Sequence, residues 1–381
     1  MYNIQSHVRE HGPVPIEKKP FDVLDALALT QLVYMPMEGL IDDGGKTTVR
    51  KLWYFLSLKY LDAFPTFYPR KCYYFTQTCA ASARFAQLKI SQYVNHIDPD
   101  QELQFCACTF ALPDGSHFIS FRGTDMSLVG WKEDLNMSFM TVPAQRMAVD
   151  YVARAAKAFR GPLLMGGHSK GGNLALYAAS HSTAAVRKRI RQVYSFDGQG
   201  VDKATLDSAG YKDIQDRIQS WVPQSSVVGM LLCYHPNYNV VKSTAIGLLQ
   251  HDAFTWLIKD GTFEQLSELN FSSRVSAEAF RRWLDQHSAE ERRFMAEVII
   301  QVVSGIGTDT IAPIYQDLKG SSLKMFSAFN KLDLETRTRA TLLFTSLLST
   351  EAGYAVRKLL ANALRMQADP KSRDDEAPSL T

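Results

Sequence analysis

Residues 161–179 read GPLLMGGHSKGGNLALYAA. Residues 162–165 are a short apolar run, residues 166–172 a glycine-rich turn, and Leu174, Ala175, Tyr177 and Ala178 an apolar face at helical spacing. The order is strand, sharp turn, helix. Within the turn, Gly167-His168-Ser169-Lys170-Gly171 satisfies G-x-S-x-G, which puts Ser169 at the tip.

The glycines have a chemical reason. A serine exposed on a tight strand-to-helix turn takes a strained backbone, and its neighbours must keep side chains out of the way. A helix starting at Lys170 aims unpaired N–H groups and its positive dipole end at the hydroxyl. The Lys170 N–H is then a ready oxyanion donor. This is the nucleophile elbow, and it makes Ser169 the candidate nucleophile.

Composition sets the outer bounds. The chain has 381 residues, 46% hydrophobic, enough for one large domain and a smaller appendage. Net charge is +3. The densest basic cluster, Arg187, Lys188, Arg189 and Arg191, reads as a solvated helix end, and no nucleic-acid partner is implied. The five cysteines, at 72, 79, 106, 108 and 233, are too few and too scattered for a disulfide framework or a zinc site. Cys106 and Cys108 share one face of a strand and read as buried thiols. Neither a leader-like segment nor an apolar run of about 18 residues occurs, so the expectation is a cytoplasmic protein with no integral membrane segment.

The chain then falls into four parts. Residues 1–20, with three prolines, read as a loosely ordered arm. Residues 21–265 alternate helix and strand. A helix at 21–34 precedes an aromatic-rich helix-loop at 53–75. A hairpin at 102–121 turns at Pro113-Asp114-Gly115. Its second strand ends in Phe121-Arg122-Gly123-Thr124-Asp125, where Gly123 allows close backbone approach and the Thr124 hydroxyl and N–H are candidate oxyanion donors. A helix at 144–159 leads into the elbow strand. Strands follow at 193–196, 221–222 with 226–232, and 240–241 with the segment to Leu249. This alternation is that of a parallel α/β sheet. Residues 266–366 read as a helical module, with Ser276 and Ser288 as N-caps, Asp333 opening a further helix, and a last helix at 351–366. Residues 367–381 read as a disordered tail.

A serine nucleophile needs a base and an acid. His251 lies 82 residues after Ser169, in the order serine, acid, histidine; His235 is its rival. His168 precedes the serine on the incoming strand, and its ring is expected to point away. Asp197 ends the strand 193–196 at the carboxyl edge, where α/β sites gather. Asp252 is a poorer acid because neighbouring side chains diverge.

Four segments together carry a resemblance: Phe121-Arg122-Gly123-Thr124, Gly130-Trp131-Lys132-Glu133-Asp134-Leu135, residues 167–175, and the late His251. They resemble the class 3 lipase group of α/β-hydrolases, and within it a bacterial lipase-like branch that also has Phe196-Asp197-Gly198 and Gln250-His251-Asp252. The resemblance implies an α/β-hydrolase fold, a mostly parallel sheet with flanking helices, here with a C-terminal helical module. It implies Ser169 as nucleophile, His251 as base, and Thr124 with the Lys170 N–H as oxyanion hole. Two departures stand out. Lys170 replaces the leucine or methionine usual after the serine, and the usual position of the aspartate falls at Ser225 or Ser226. The resulting expectation is a serine hydrolase of esters or thioesters with an apolar acyl group, using Ser169, His251 and Asp197 and no metal or cofactor. The alternative is a catalytically silent binding or scaffolding protein of the same fold.

Overall fold

The apolar runs on either side of the elbow become strands of one sheet. In the computed structural model, which describes residues 2–41, 45–58, 67–125, 127–307, 310, 314 and 317–348, the strands follow in chain order. They are β1 (Lys46–Thr48), β2 (Lys89–Asp98), β3 (Leu103–Ala111), β4 (His117–Phe121), β5 (Leu163–His168), β6 (Ile190–Phe196), β7 (Ile218–Pro223) and β8 (Tyr238–Val241). A two-stranded ribbon, β9 (Ile258–Lys259) and β10 (Thr262–Phe263), precedes β11 (Gln265–Leu266). The sheet order is β1-β2-β3-β4-β5-β6-β7-β8-β11. From β4 to β8 the strands are parallel; β1 to β4 and the β8–β11 pair are antiparallel.

Alternate residues feed two cores, one on each face. Cys106, Cys108, Phe110, Phe118, Leu164, Tyr194 and Phe196 join one, while Phe105, Ala107, Ile119, Phe121, Met165 and Val193 join the other. Both faces are covered, so β3 and β5 read as continuous apolar runs rather than as alternation. Helix α2 (Val23–Leu32) is buried almost all round in the first core, which α3 (Val49–Ser57) and α4 (Phe67–Ala81) also join. Helix α6 (Pro143–Ala158) shows the second core a stripe of Ala144, Ala148, Tyr151, Val152 and Ala155, and α7 (Lys170–His181) packs beside it. This sheet, with its elbow and flanking helices, is an α/β-hydrolase fold. No helix among the described residues is long and apolar enough to cross a membrane.

The structure departs from the sequence reading in several places. The first twenty residues are not a loose arm. They begin with α1 (Ile4–His11), capped by Asn3, with Ile4 and Val8 in the core. The following loop is pinned by Arg84, whose guanidinium donates to the carbonyls of Val14, Lys19 and Pro20 and pairs with Asp25 of α2. Strand β2, with a bulge between Ser91 and Val94, was not legible. Residues 226–232 are no strand but a loop with a single 3-10 turn, Val228–Met230. The basic cluster is a helix end that is only half solvated: Lys188 and Arg191 are exposed, whereas Arg189 donates to the carbonyls of Ala156, Phe159 and Gly161 and Arg187 to Asp213.

The chain divides into two compact units. The first holds residues 1–125 and 129–270, the second residues 126–128 and 271–381. The division lies past residue 265 because β11 pairs with β8 and the Asn270 N–H donates to Gln224. In the second unit, Ser288 caps the helix Ala289–Ser304 through a capping box with Glu291. Ser276 caps nothing; it lies inside the helix Phe271–Gln286. Asp333 caps the helix Leu334–Leu348 through the Thr336 N–H. The expected helix at 351–366 and the tail from 367 lie outside the described residues.

Arg84 is the test of how the N-terminal segment is held. Arg84→Met leaves the Asp25 carboxylate buried without its cation, a change that costs about 3–5 kcal/mol. Urea unfolding should show a stability lower by that margin. A loss below about 1 kcal/mol would mean that the Arg84 side chain does not hold the N-terminal segment, leaving its apolar contacts and the hydrogen bonds of Tyr2 and Asn3 to do so.

Candidate active site

Ser169 joins the last residue of β5 to the first of α7 with φ 58° and ψ −133°, a conformation costly for any residue but glycine. Its N–H donates to the Phe196 carbonyl at 3.0 Å, and its own carbonyl accepts from Gly172 at 2.8 Å. The turn closes because nothing stands between residues 167 and 171: a Cβ on Gly167 would lie 2.1 Å from the Gly171 carbonyl carbon.

Asp197 follows β6, adjacent to β5 in the sheet, and is 1% exposed. Its Oδ2 lies 2.6 Å from His251 Nδ1. Its Oδ1 accepts from Ser226 Oγ at 2.5 Å and from the Gly229 N–H at 3.1 Å. The carboxylate therefore meets three donors, with the ring nitrogen on one oxygen and the loop after β7 on the other. His251 ends a 3-10 turn, Gly247–His251. That turn is fastened by Gln250, which accepts from the Ser225 N–H, donates to the Ala245 carbonyl, and accepts at its own carbonyl from Trp256 Nε1. The other candidates go elsewhere. His235 is paired with the Tyr211 hydroxyl at 2.8 Å. Asp252 takes the Lys71 ammonium at 2.5 Å. Ser225 Oγ accepts from Asn270.

The loop after β4 brings Thr124, but its hydroxyl is engaged. Thr124 Oγ1 donates to Asp134 Oδ2 at 2.5 Å, so the hydrogen expected for an oxyanion is spent on a carboxylate. Burial pushes that carboxyl up to about 6, against the pull of the nearby Lys170 charge and of the Thr124 hydrogen bond. Asp134 lies on α5 (Leu128–Asn136) beside Glu133.

Lys170 is fully buried, and its ammonium points into the fold. It donates to Gln104 O at 2.8 Å, Gln104 Oε1 at 2.7 Å and Glu133 Oε2 at 2.9 Å, which uses all its donors. Glu133 in turn accepts from the N–H groups of Gln104 and Ala144. Three residues on, Asn173 accepts from Gln145 of α6 and donates to the Gly200 carbonyl. The first turn of α7 is thus tied on both sides. What Lys170 leaves for a substrate is its main-chain N–H, at the first helical position, where no intrahelical acceptor exists.

The His168 ring does not turn away from the site. It lies 4.6 Å from the His251 ring, centroid to centroid, and its Nε2 is 2.7 Å from the His251 carbonyl oxygen. The reason is that β5 runs through His168, and alternation sets its ring on the Leu164 face against Tyr34 and Tyr68, the face that the loop carrying His251 also covers. Sequence reasoning also missed Glu133 and Asp134 as working parts, and it leaves open Ser225 or Ser226 as the partner of the His251 ring, where Ser226 instead donates to Asp197. One signal was present. A lysine where an apolar residue is usual, on a helix that must be buried, requires a carboxylate elsewhere in the chain.

No curated protein matches the chain. Among solved structures it is similar to that described as the crystal structure of M37 lipase, with 13% identity over 61% of this chain and 70% of that one, at a TM-score of 0.33. A family model described as Mbeg1-like matches residues 79–301, a span that holds Thr124, Lys170, Ser169, Asp197 and His251. With more than half its length in that match, the chain belongs to the Mbeg1-like family, a lipase-like family.

Proposed function

We propose that this protein is a serine hydrolase of carboxylic esters or thioesters with an apolar acyl group. The observation that carries the proposal is the pairing of His251 Nδ1 with the buried Asp197 carboxylate at 2.6 Å, in a fold whose elbow holds Ser169 strained at a helix N-terminus. An unpaired acid and histidine elsewhere in the chain have no such reason to meet.

In this reading Ser169 Oγ attacks the acyl carbonyl, and its proton goes to Nε2 of His251. The Asp197 carboxylate accepts from Nδ1–H, which fixes the tautomer and stabilises the imidazolium. The oxyanion meets the main-chain N–H groups of Lys170 and Thr124. His251 then returns the proton to the leaving alcohol or thiol, and water repeats the cycle on the acyl-enzyme. An apolar acyl group is supported by the turn that carries the base: Ile246, Leu248 and Leu249 are 60%, 58% and 56% exposed just ahead of His251. The scaffold alternative rested on Lys170 and on the absence of an acid at 225–226. The first has a place in the core, and the second has a carboxylate delivered from the neighbouring strand.

A fluorophosphonate probe should label wild-type protein on Ser169. Ser169→Ala should abolish labelling and lower turnover of p-nitrophenyl esters by up to about a million-fold. Retention of near-normal turnover by this variant would remove Ser169 from the mechanism. If the wild type neither labels nor hydrolyses any ester of graded chain length, the scaffold reading stands instead.

The acid gives a ranking. Asp197→Asn should keep the fold and lower kcat by about 10⁴-fold. Ser226→Ala removes one of three donors to that carboxylate and should cost about tenfold, while Ser225→Ala stays within about twofold. The reverse order in kcat would place the base's partner on the loop after β7.

A further inference from the structure

His168 is buried, directly precedes the nucleophile, and takes no part in the proposed bond-making. Its hydrogen bonds determine its protonation. The partner of Nε2 is the His251 carbonyl oxygen at 2.7 Å, an acceptor only, so Nε2 carries the hydrogen. Burial holds the ring well below the usual histidine range, so it is neutral and Nδ1 is a bare acceptor. Two phenol oxygens face Nδ1, Tyr34 Oη at 3.3 Å and Tyr68 Oη at 3.4 Å. The Tyr68 hydrogen goes to Gln31 Oε1 at 2.5 Å. Tyr34 is therefore the donor to Nδ1.

Tyr34 connects further. Its hydroxyl lies against the backbone of Gly123, next to Thr124 in the loop after β4. That approach exists only because residue 123 has no side chain: a Cβ there would stand 2.3 Å from Tyr34 Oη and 2.5 Å from the His168 carbonyl oxygen. The resulting chain of donors runs from the Tyr34 O–H to the His168 ring and from the ring to the His251 carbonyl. It joins α2's C-terminal end, the elbow strand and the loop that carries His251, and it packs against the loop after β4 at Gly123.

We propose that His168 is a positioning residue for His251: locked as the Nε2–H tautomer by Tyr34, it holds the His251 main chain so that the imidazole stays on Asp197. The proposal rests on the reading of His251 as the base. The carbonyl it grips belongs to the base itself, so a shift there moves the ring against the 2.6 Å contact to Asp197. The Tyr68 ring lies nearly parallel to the His168 ring, with centroids at 5.8 Å and planes 15° apart. The ring cannot flip to a second tautomer without setting a bare nitrogen against a carbonyl.

The experiment compares wild type with His168→Leu, His168→Gln and Tyr34→Phe. The glutamine amide can donate from nearly the place of Nε2; the leucine fills the space and donates nothing. The readouts are thermal midpoint, kcat and KM for p-nitrophenyl butyrate, and the rate of fluorophosphonate labelling. His168→Leu should lower kcat and the labelling rate about 10–100-fold with KM within about twofold. His168→Gln should restore most of this at the same thermal midpoint as the leucine variant, and Tyr34→Phe should lie between. Equal rates for leucine and wild type, or no rescue by glutamine in a variant as stable as the leucine one, overturn the proposal. A second arm needs no activity. In protein carrying ¹⁵N-histidine, with His168 assigned by its loss in His168→Gln, its ring should be neutral with Nε2 protonated near pH 7. An Nδ1–H tautomer or a charged ring overturns the proposal even if the enzyme is active. The expected tautomer in a protein that hydrolyses nothing leaves the lock in place and rejects the proposed function instead.

Discussion

The backbone at Ser169 is the constraint on which the site depends. A non-glycine residue at φ 58° and ψ −133° stores on the order of 1–3 kcal/mol and persists only where its surroundings over-determine it. Here they do so through the first turn of α7. Lys170 ties that turn to β3 and α5, and Asn173 ties it to α6 and the Gly200 loop. Breaking a buried pair such as Lys170–Glu133 from one side costs about 3–5 kcal/mol, more than the strain releases. The turn therefore cannot relax by letting go of its lysine, and the serine stays at the tip.

The same turn explains why the other groups arrive where they do. β4, β5 and β6 are parallel neighbours, so the loops that follow them open on one edge of the sheet. The loop after β4 brings Thr124, the elbow Ser169, and the end of β6 Asp197. The Ser169 N–H donates to Phe196, so the elbow and the acid's strand are joined in register. His251 comes from farther along the chain, beyond β8, and needs more fastening than the others. It gets this from Gln250, from Asp197 and from His168.

Much of this was legible in the sequence because it is local. The elbow is five residues with glycines at fixed places, the hairpin turn three, the Ser288 capping box four, and each states its own geometry. Strand β2 was not legible because its bulge and its exposed outer half break the alternation. The N-terminal helix was hidden by prolines and charges that read as disorder, since its capture by Arg84 joins residues more than sixty apart. The site divides the same way. Ser169 announces itself, and the His251–Asp197 pair was within reach of the chain order. The partners of Lys170 and Thr124 were not, because a buried lysine signals that a carboxylate exists without saying which one. The place of His168 was not legible for the same reason: alternation sets its ring on the Leu164 face, but nothing local says that the distant loop carrying His251 covers that face.

In the proposed function, the acid shows how little the chemistry depends on which strand supplies a group. An imidazole acting as base needs a negative oxygen at Nδ1 and does not register the path of the chain behind it. The loops after β6 and β7 meet at that point, since Ser226 donates to Asp197 at 2.5 Å. Two positions thus face one spot, and either can carry the carboxylate provided that the other carries a donor. With the acid after β6, a second carboxylate at 226 would set like charges in contact in a buried place, where both cannot ionise. A serine is the residue that fits: small, neutral and able to donate. In the proposed reading, the serine at 226 accompanies the aspartate at 197.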